Sequence, residues 1–179
     1  MEQWIRIALE EGFTYAKELK MDTIELLPEV RKMCENNACR AYGKNWACPP
    51  ACGTLEECGE RLKGYSRGIL LQTVGEIEDW MDFEGMMEAE KKHKETFDRF
   101  VGRVRNQEPD ALPVGTGGCR ICAQCTYPDE PCRFPEKSFT SMEAYGMEVN
   151  RICKNNGLSY IMDRARLLTR HVAFCHERL

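Results

Sequence analysis

The chain has 179 residues, 42% of them apolar, with a net charge of -4 and a pI near 5.5. That length suits one domain of ordinary size with enough apolar content for its own core. The acidic balance argues against nucleic acid or an anionic membrane as partner, and no apolar run approaches the ~18 residues of a membrane span.

The first predicted element is a helix over residues 3–19, with Ile5, Leu9, Phe13 and Ala16 on one face. TIELL, from Thr23 to Leu27, reads as a short strand. Pro28 suits the first position of a short helix, PEVRKMC, that delivers Cys34 at its end. Thr54-Leu55-Glu56-Glu57 is a capping box, so a helix follows from about Leu55 to Lys63. GYSRG breaks it, and ILLQTV, from Ile69 to Val74, reads as a buried strand. Residues 84–105 predict a charged helix with Phe97, Phe100, Val101 and Val104 on one face. ALPVGTGG is strand or turn. Ser141 can cap a helix, SMEAYGMEVNRICKNN, that stops at Gly157. LSYIM and LLTRHVAF are the last strand candidates. The expected architecture is a single α+β domain over 1–179, α/β-like in part, with a small mixed sheet of about four to five strands packed against helices. In each half a cysteine block, prolines, a cysteine-bearing helix, a glycine and a strand follow in the same order. An old duplication or coincidence accounts for this equally well.

Eleven cysteines dominate the composition. The opening MEQWIRIALEEG has neither the basic nor the apolar region of a secretory signal, so a cytoplasmic location is expected. Clustered thiols in such a chain are metal ligands more often than disulfides. In CRICAQCTYPDEPC the ligand candidates Cys119, Cys122, Cys125 and Cys132 are separated by two, two and six residues. Three thiols at successive short spacings point inward from one loop and suit the several iron corners of a [4Fe-4S] cluster. One zinc ion has a single centre and takes two separated knuckles. Gly115, Gly117 and Gly118 let backbone approach the group closely. Arg120 and Arg133 each follow a candidate ligand, as neutralising charges or as solvated surface.

The earlier block holds Cys34, Cys39, Cys48, Cys52 and Cys58, five thiols for four places. The helix starting after Thr54 turns its partly positive end toward the Pro49–Pro50 stretch, which favours an anionic group there. Cys34, Cys39, Cys48 and Cys58 form the expected ligand set, with Cys52 as the alternative. Cys153 and Cys175 read as core residues. His93 reads as flanking the apolar face of its helix, His171 has no role, and His176 lies close to the end of the chain. Trp46 and Tyr42 shield a cluster from water or belong to the core, and Tyr145 donates to a cluster sulfur or packs.

On CRAYGKNWACPP, GTLEEC, GGCRICAQC, PCRFPEK and SMEAYGMEV the chain resembles a bacterial and archaeal family of predicted metal-binding proteins, a domain of unknown function. The resemblance implies paired cysteine motifs that bind metal as iron–sulfur clusters, often in anaerobes, and implies no reaction. HVAFCHERL carries no part of it.

Together these observations predict an iron–sulfur protein with two [4Fe-4S] clusters that serves electron transfer with a redox partner protein. One alternative is an enzyme in which a three-thiol cluster keeps an open iron as Lewis acid. Another is a structural zinc module that binds protein. Clusters in exposed loops also predict sensitivity to oxygen.

Overall fold

The computed structural model describes residues 1–79, 81–159 and 166–175. Helix α1 covers Glu2–Glu11 and stops at Gly12, whose φ of +112° is left-handed and whose N–H returns to the carbonyls of Ala8 and Leu9. Glycine takes that position at a helix end without a Cβ penalty. The apolar spacing that predicts one helix over 3–19 therefore spans two elements. Trp4, Ile7 and Ala8 are the buried face of α1, and Tyr15–Leu19 is strand β1.

The strand expected at Thr23–Leu27 does not form. Met21–Thr23 is a 3-10 turn, and Leu26 makes one antiparallel bridge to Met147. Pro28, which has no N–H to extend a ladder, instead opens α2 over Pro28–Glu35. Helix α3, Leu55–Lys63, starts on the capping box: Glu57 N–H donates to Thr54 Oγ1 at 3.1 Å and Thr54 N–H to Glu57 Oε2 at 2.7 Å. Strand β2 is Arg67–Glu76, and α4 runs Phe83–Arg105 with Asp82 accepting from Gly85 N–H at its start. Strand β3 is Leu112–Val114.

The helix expected from Ser141 begins only at Val149, as α5, Val149–Asn155. Gly146 breaks it. Its φ is +80°, and a Cβ there would stand 2.6 Å from Leu55 Cδ1 and 3.1 Å from Leu27 O. Residues 141–147 turn instead, with Ser141 Oγ accepting from Ala144 N–H at 3.1 Å. LLTRHVAF falls within β4, Arg166–Cys175. Tyr160–Met162 of the LSYIM candidate, and His176, lie outside the described residues.

The sheet order is β1-β2-β4-β3 and every pairing is antiparallel. Its middle is the ten-residue pair β2 and β4, flanked by the shorter β1 and β3. Successive residues of a strand face opposite sides. Ile69 and Leu71 accordingly pack with Trp4, Ile7 and Phe13 and with Phe97, Phe100 and Val104 of α4. Leu70 packs on the other side with Cys58 and Leu62 of α3, Met142, Tyr145 and Ile152 of α5. Burial on both faces explains the unbroken apolar run ILL, which a one-sided antiparallel strand would alternate. No described helix is long and apolar enough to cross a membrane.

Candidate metal centre

The ten cysteines from Cys34 to Cys153 are free thiols. The first block joins α2 to α3. Between Cys34 and Cys48 the backbone coils tightly, with Asn37 at φ 51° and Arg40 at φ 59°. Asparagine tolerates that left-handed conformation by bonding locally, and Asn37 Oδ1 accepts from Tyr42 N–H at 3.1 Å. Cys39 stays exposed, Cys34 is half-buried, and Cys48, Cys52 and Cys58 are buried.

Two arginines enter this block. Arg31, on α2, donates to the carbonyl oxygens of Gly53 and Ala144. Arg61, on α3, donates to Cys52 O at 2.5 Å and to Cys58 Sγ at 3.6 Å, and lies over the Tyr145 ring at 5.5 Å. Both sit three residues from a thiol on the same helix, a spacing that shares one face. Arg31-x-x-Cys34 and Cys58-x-x-Arg61 were thus the sequence signals for residues that spacing among cysteines alone overlooks.

The thiols divide by their surroundings. Burial pushes Cys34 up, opposed by the Arg31 charge, and Glu143 adds to the rise. Cys34 Sγ lies 4.0 Å from Glu143 O, and Glu143 Oε2 is buried with no hydrogen-bond partner. Burial also raises Cys48, whose neighbouring charges are Cys39, Cys34 and Cys119. Cys52 and Cys58 form a hydrogen-bonded pair. Accepting from Cys52, with Arg61 and Arg31 nearby, holds Cys58 well below the usual thiol range, and donating to it raises Cys52.

The second block is an excursion from the sheet. It leaves after β3 and returns at Ser141, where Gly115 N–H donates to Thr140 O and Met142 N–H to Gly115 O, both at 2.9 Å. Cys119, Cys122, Cys125 and Cys132 are half-buried and line one small hollow with Trp46 and Phe134. The loop is braced from within: Thr126 Oγ1 donates to Pro131 O at 2.8 Å and Arg133 to Gln124 O at 3.1 Å. Arg133 also lines the hollow of the four thiols, and Arg120 faces α4, where its charge acts on Glu90.

The blocks abut. Trp46 Nε1–H donates to Glu130 O at 3.0 Å, and its ring meets Tyr127 edge-on at 4.9 Å. A Cβ on Gly118 would lie 3.3 Å from Ala41 Cβ and 3.9 Å from Cys48 Sγ, so the strip before Cys119 runs close against the first block and a side chain there would need Ala41 to give by a few tenths of an ångström. Cys153 is a core residue, 0% exposed. Cys175 ends β4. His93 is buried at 1% exposure rather than flanking: Phe13 meets its ring at 5.6 Å and Thr73 its Nδ1. Tyr145 is packed in the core, its hydroxyl pushed up to about 12 by burial.

The donor set is soft. It contains thiols without histidine, which select zinc or iron–sulfur groups over hard cations. Among the described residues, no three Cys, His, Asp or Glu side chains gather closely enough to hold one metal ion. Thiolates sharing one zinc at about 2.3 Å would stand roughly 3.8 Å apart, whereas ligands to separate corners of a cluster stand wider.

No curated protein and no solved structure matches the chain. A family model does, over residues 17–173, a span that contains both cysteine blocks, both arginines and all four strands save for the edges of β1 and β4. With its thiols, glycine seam and Trp46 bridge inside that span, the chain belongs to the DUF2284 family of predicted metal-binding proteins.

Proposed function

We propose that this protein holds two [4Fe-4S] clusters and exchanges electrons with a redox partner protein. The observation that carries the reading is the joint arrangement of thiols: one loop turns four of them to a single hollow, and Cys48 of the other block lies against the strip that enters it. Cys119, Cys122, Cys125 and Cys132 hold one cluster. Cys34, Cys39, Cys48 and Cys58 hold the other, with Cys52 as an alternative ligand.

Bound there, each cluster supplies one-electron storage. The chain's own part is to present deprotonated sulfur, exclude water and fix the distance between the sites. Trp46 and Phe134 cover the second block's thiols from the side. Trp46 also ties the two blocks through Glu130 and Tyr127. Free thiols at all ten cysteines from Cys34 to Cys153 fit a reducing compartment such as the cytoplasm of an anaerobe.

A second reading, an enzyme whose first cluster keeps an open iron as Lewis acid, draws on one observation. Cys58 is engaged by Cys52 and Arg61, which leaves Cys34, Cys39 and Cys48 as a three-thiol set.

Anaerobic purification followed by iron and sulfide analysis tests the main reading. Two cubane clusters give brown protein with about eight irons and eight sulfides per chain. Colourless protein with two zinc ions overturns both readings and leaves a structural zinc module. Electron paramagnetic resonance of reduced Cys34→Ala, Cys52→Ala and Cys58→Ala separates the two. Full ligation predicts a lost cluster in the first and third and no change in the second. If Cys58→Ala is silent and small ligands shift the spectrum, the open-iron reading holds.

A further inference from the structure

A cleft opens beside the second block, between α4 and the strip that leads from β3 to Cys119. Its volume is about 250 Å³, just under the usual range of small-molecule sites. That space admits a small acid and is too little for a dinucleotide. Part of its lining is aromatic: Phe97 and Phe139 meet edge-on, with ring centroids 5.4 Å apart. Ile121, 42% exposed, adds a further apolar side chain.

The charged lining is mostly of one sign. Lys94, Arg120 and Lys137 face the cleft against one carboxylate, Asp98. Lys94 is bonded to Glu90 at 2.7 Å. Among the described residues neither Arg120 nor Lys137 forms an ion pair. The other acids of this side of α4, Glu84, Glu88 and Glu95, line the adjoining groove and not this cleft. With Glu90 counted beside Asp98, three cations still face two carboxylates, in a chain whose net charge is -4. A cleft lined by one sign of charge concentrates ions of the other. Gly117, at φ +64°, and Gly118 complete the wall with bare backbone. Among the described residues no carbonyl accepts their N–H groups, and unpaired backbone N–H groups suit an anion.

We propose that this cleft binds a small organic carboxylate with an apolar body. Arg120, Lys137 and the glycine N–H groups take the carboxylate through charge-assisted bonds, and Phe97, Phe139 and Ile121 take the hydrocarbon. Inorganic phosphate carries the charge but leaves the aromatic pair wet, so it binds less well. Cys119 lines the same cleft, which sets the bound acid next to the second metal centre. The inference does not depend on which metallic group the thiols hold.

Isothermal titration calorimetry of the anaerobically purified, metal-loaded protein tests it, with benzoate as the probe. One-to-one binding is expected, with a Kd on the order of 1 mM or tighter. Benzamide, which keeps the ring and loses the charge, and acetate, which keeps the charge and loses the ring, should each bind at least about tenfold more weakly. Lys137→Gln and Arg120→Gln should each weaken benzoate about tenfold, while Lys91→Gln, in the adjoining groove, leaves it unchanged. Because Arg120 follows Cys119, the metal content of each variant is measured alongside, and if Arg120→Gln loses metal, Lys137→Gln decides. Three results overturn the proposal: no saturable heat by about 20 mM benzoate, benzoate affinity unchanged in Lys137→Gln, which puts the acid on the metal or elsewhere, and phosphate bound as tightly as benzoate. Zinc-loaded protein that binds benzoate in this pattern overturns the two-cluster reading alone. Iron-loaded protein that ignores benzoate overturns this inference alone.

Discussion

His93 shows how a single side chain ties this protein to pH. It is 1% exposed, packed edge-on against Phe13 and bonded to Thr73. Burial first, with Lys94 adding to it, drops its pKa to about 3. The unfolded chain binds a proton near the ordinary value of about 6.5, while the folded one stays neutral down to about 3. Stability is therefore full above pH 6.5 and falls as pH drops through that window, by about 2 kcal/mol at pH 5 relative to neutral. The urea midpoint of anaerobic protein should drop between pH 7 and pH 5, and His93→Gln should flatten that dependence. A midpoint as steep in the variant as in the parent would assign the effect to other groups. The sequence placed His93 at the rim of an apolar stripe; what it could not show is that Phe13 and Thr73 of β2 close over it from outside the helix. Arg31 and Arg61 were hidden in the same way. Their i,i+3 spacing from Cys34 and Cys58 is visible, but their anchors at Ala144 and Tyr145 are more than eighty residues away.

At the scale of elements, local chemistry and tertiary demand part company. Helices α2, α3 and α4 were readable because proline, a capping box and an apolar stripe each act within a few residues. β2 was readable as an unbroken apolar run. The turn at 141–147 was not, because the residue that makes it, Gly146, answers to distant atoms. Its carbonyl accepts from Leu27 N–H at 2.7 Å, and its missing Cβ leaves room for Leu55. A methyl group there meets both left-handed strain and a 2.6 Å contact. Gly146→Ala should cost about 2–4 kcal/mol, measured by chemical unfolding. A loss under about 0.5 kcal/mol would show that Leu55 and the turn yield easily. Because Leu55 opens α3 and Ala144 anchors Arg31, the same variant should also loosen metal in the first block before the second.

For the molecule as a whole, the two cysteine blocks lead into α3 and α5, and these cover the same face of the sheet. The strands that follow, β2 and β4, are neighbours at its centre. The repeated order of parts was evident in the sequence, and the sheet gives it a spatial counterpart. The contact between blocks was not evident, since Trp46 and Glu130 are 84 positions apart. That contact should govern resistance to air. Trp46→Ala removes the bond to Glu130 and the ring against Tyr127, so the visible absorption of anaerobically loaded protein should bleach several-fold faster on exposure to oxygen. Equal bleaching in parent and variant would show that the indole shields neither site.

The Gly115–Ser141 neck has a consequence for how such a protein can change. Both ends of the thiol-bearing excursion are fastened at one point beside β3, so the strands do not register what lies between them. Lengthening such a segment adds little entropy cost, about 0.6 kcal/mol per doubling. Insertions, deletions or a wholesale exchange of ligand spacing at 116–140 could therefore accumulate without disturbing the scaffold. The same sheet could carry a different metallic cargo in a cousin, or in a graft made at the bench.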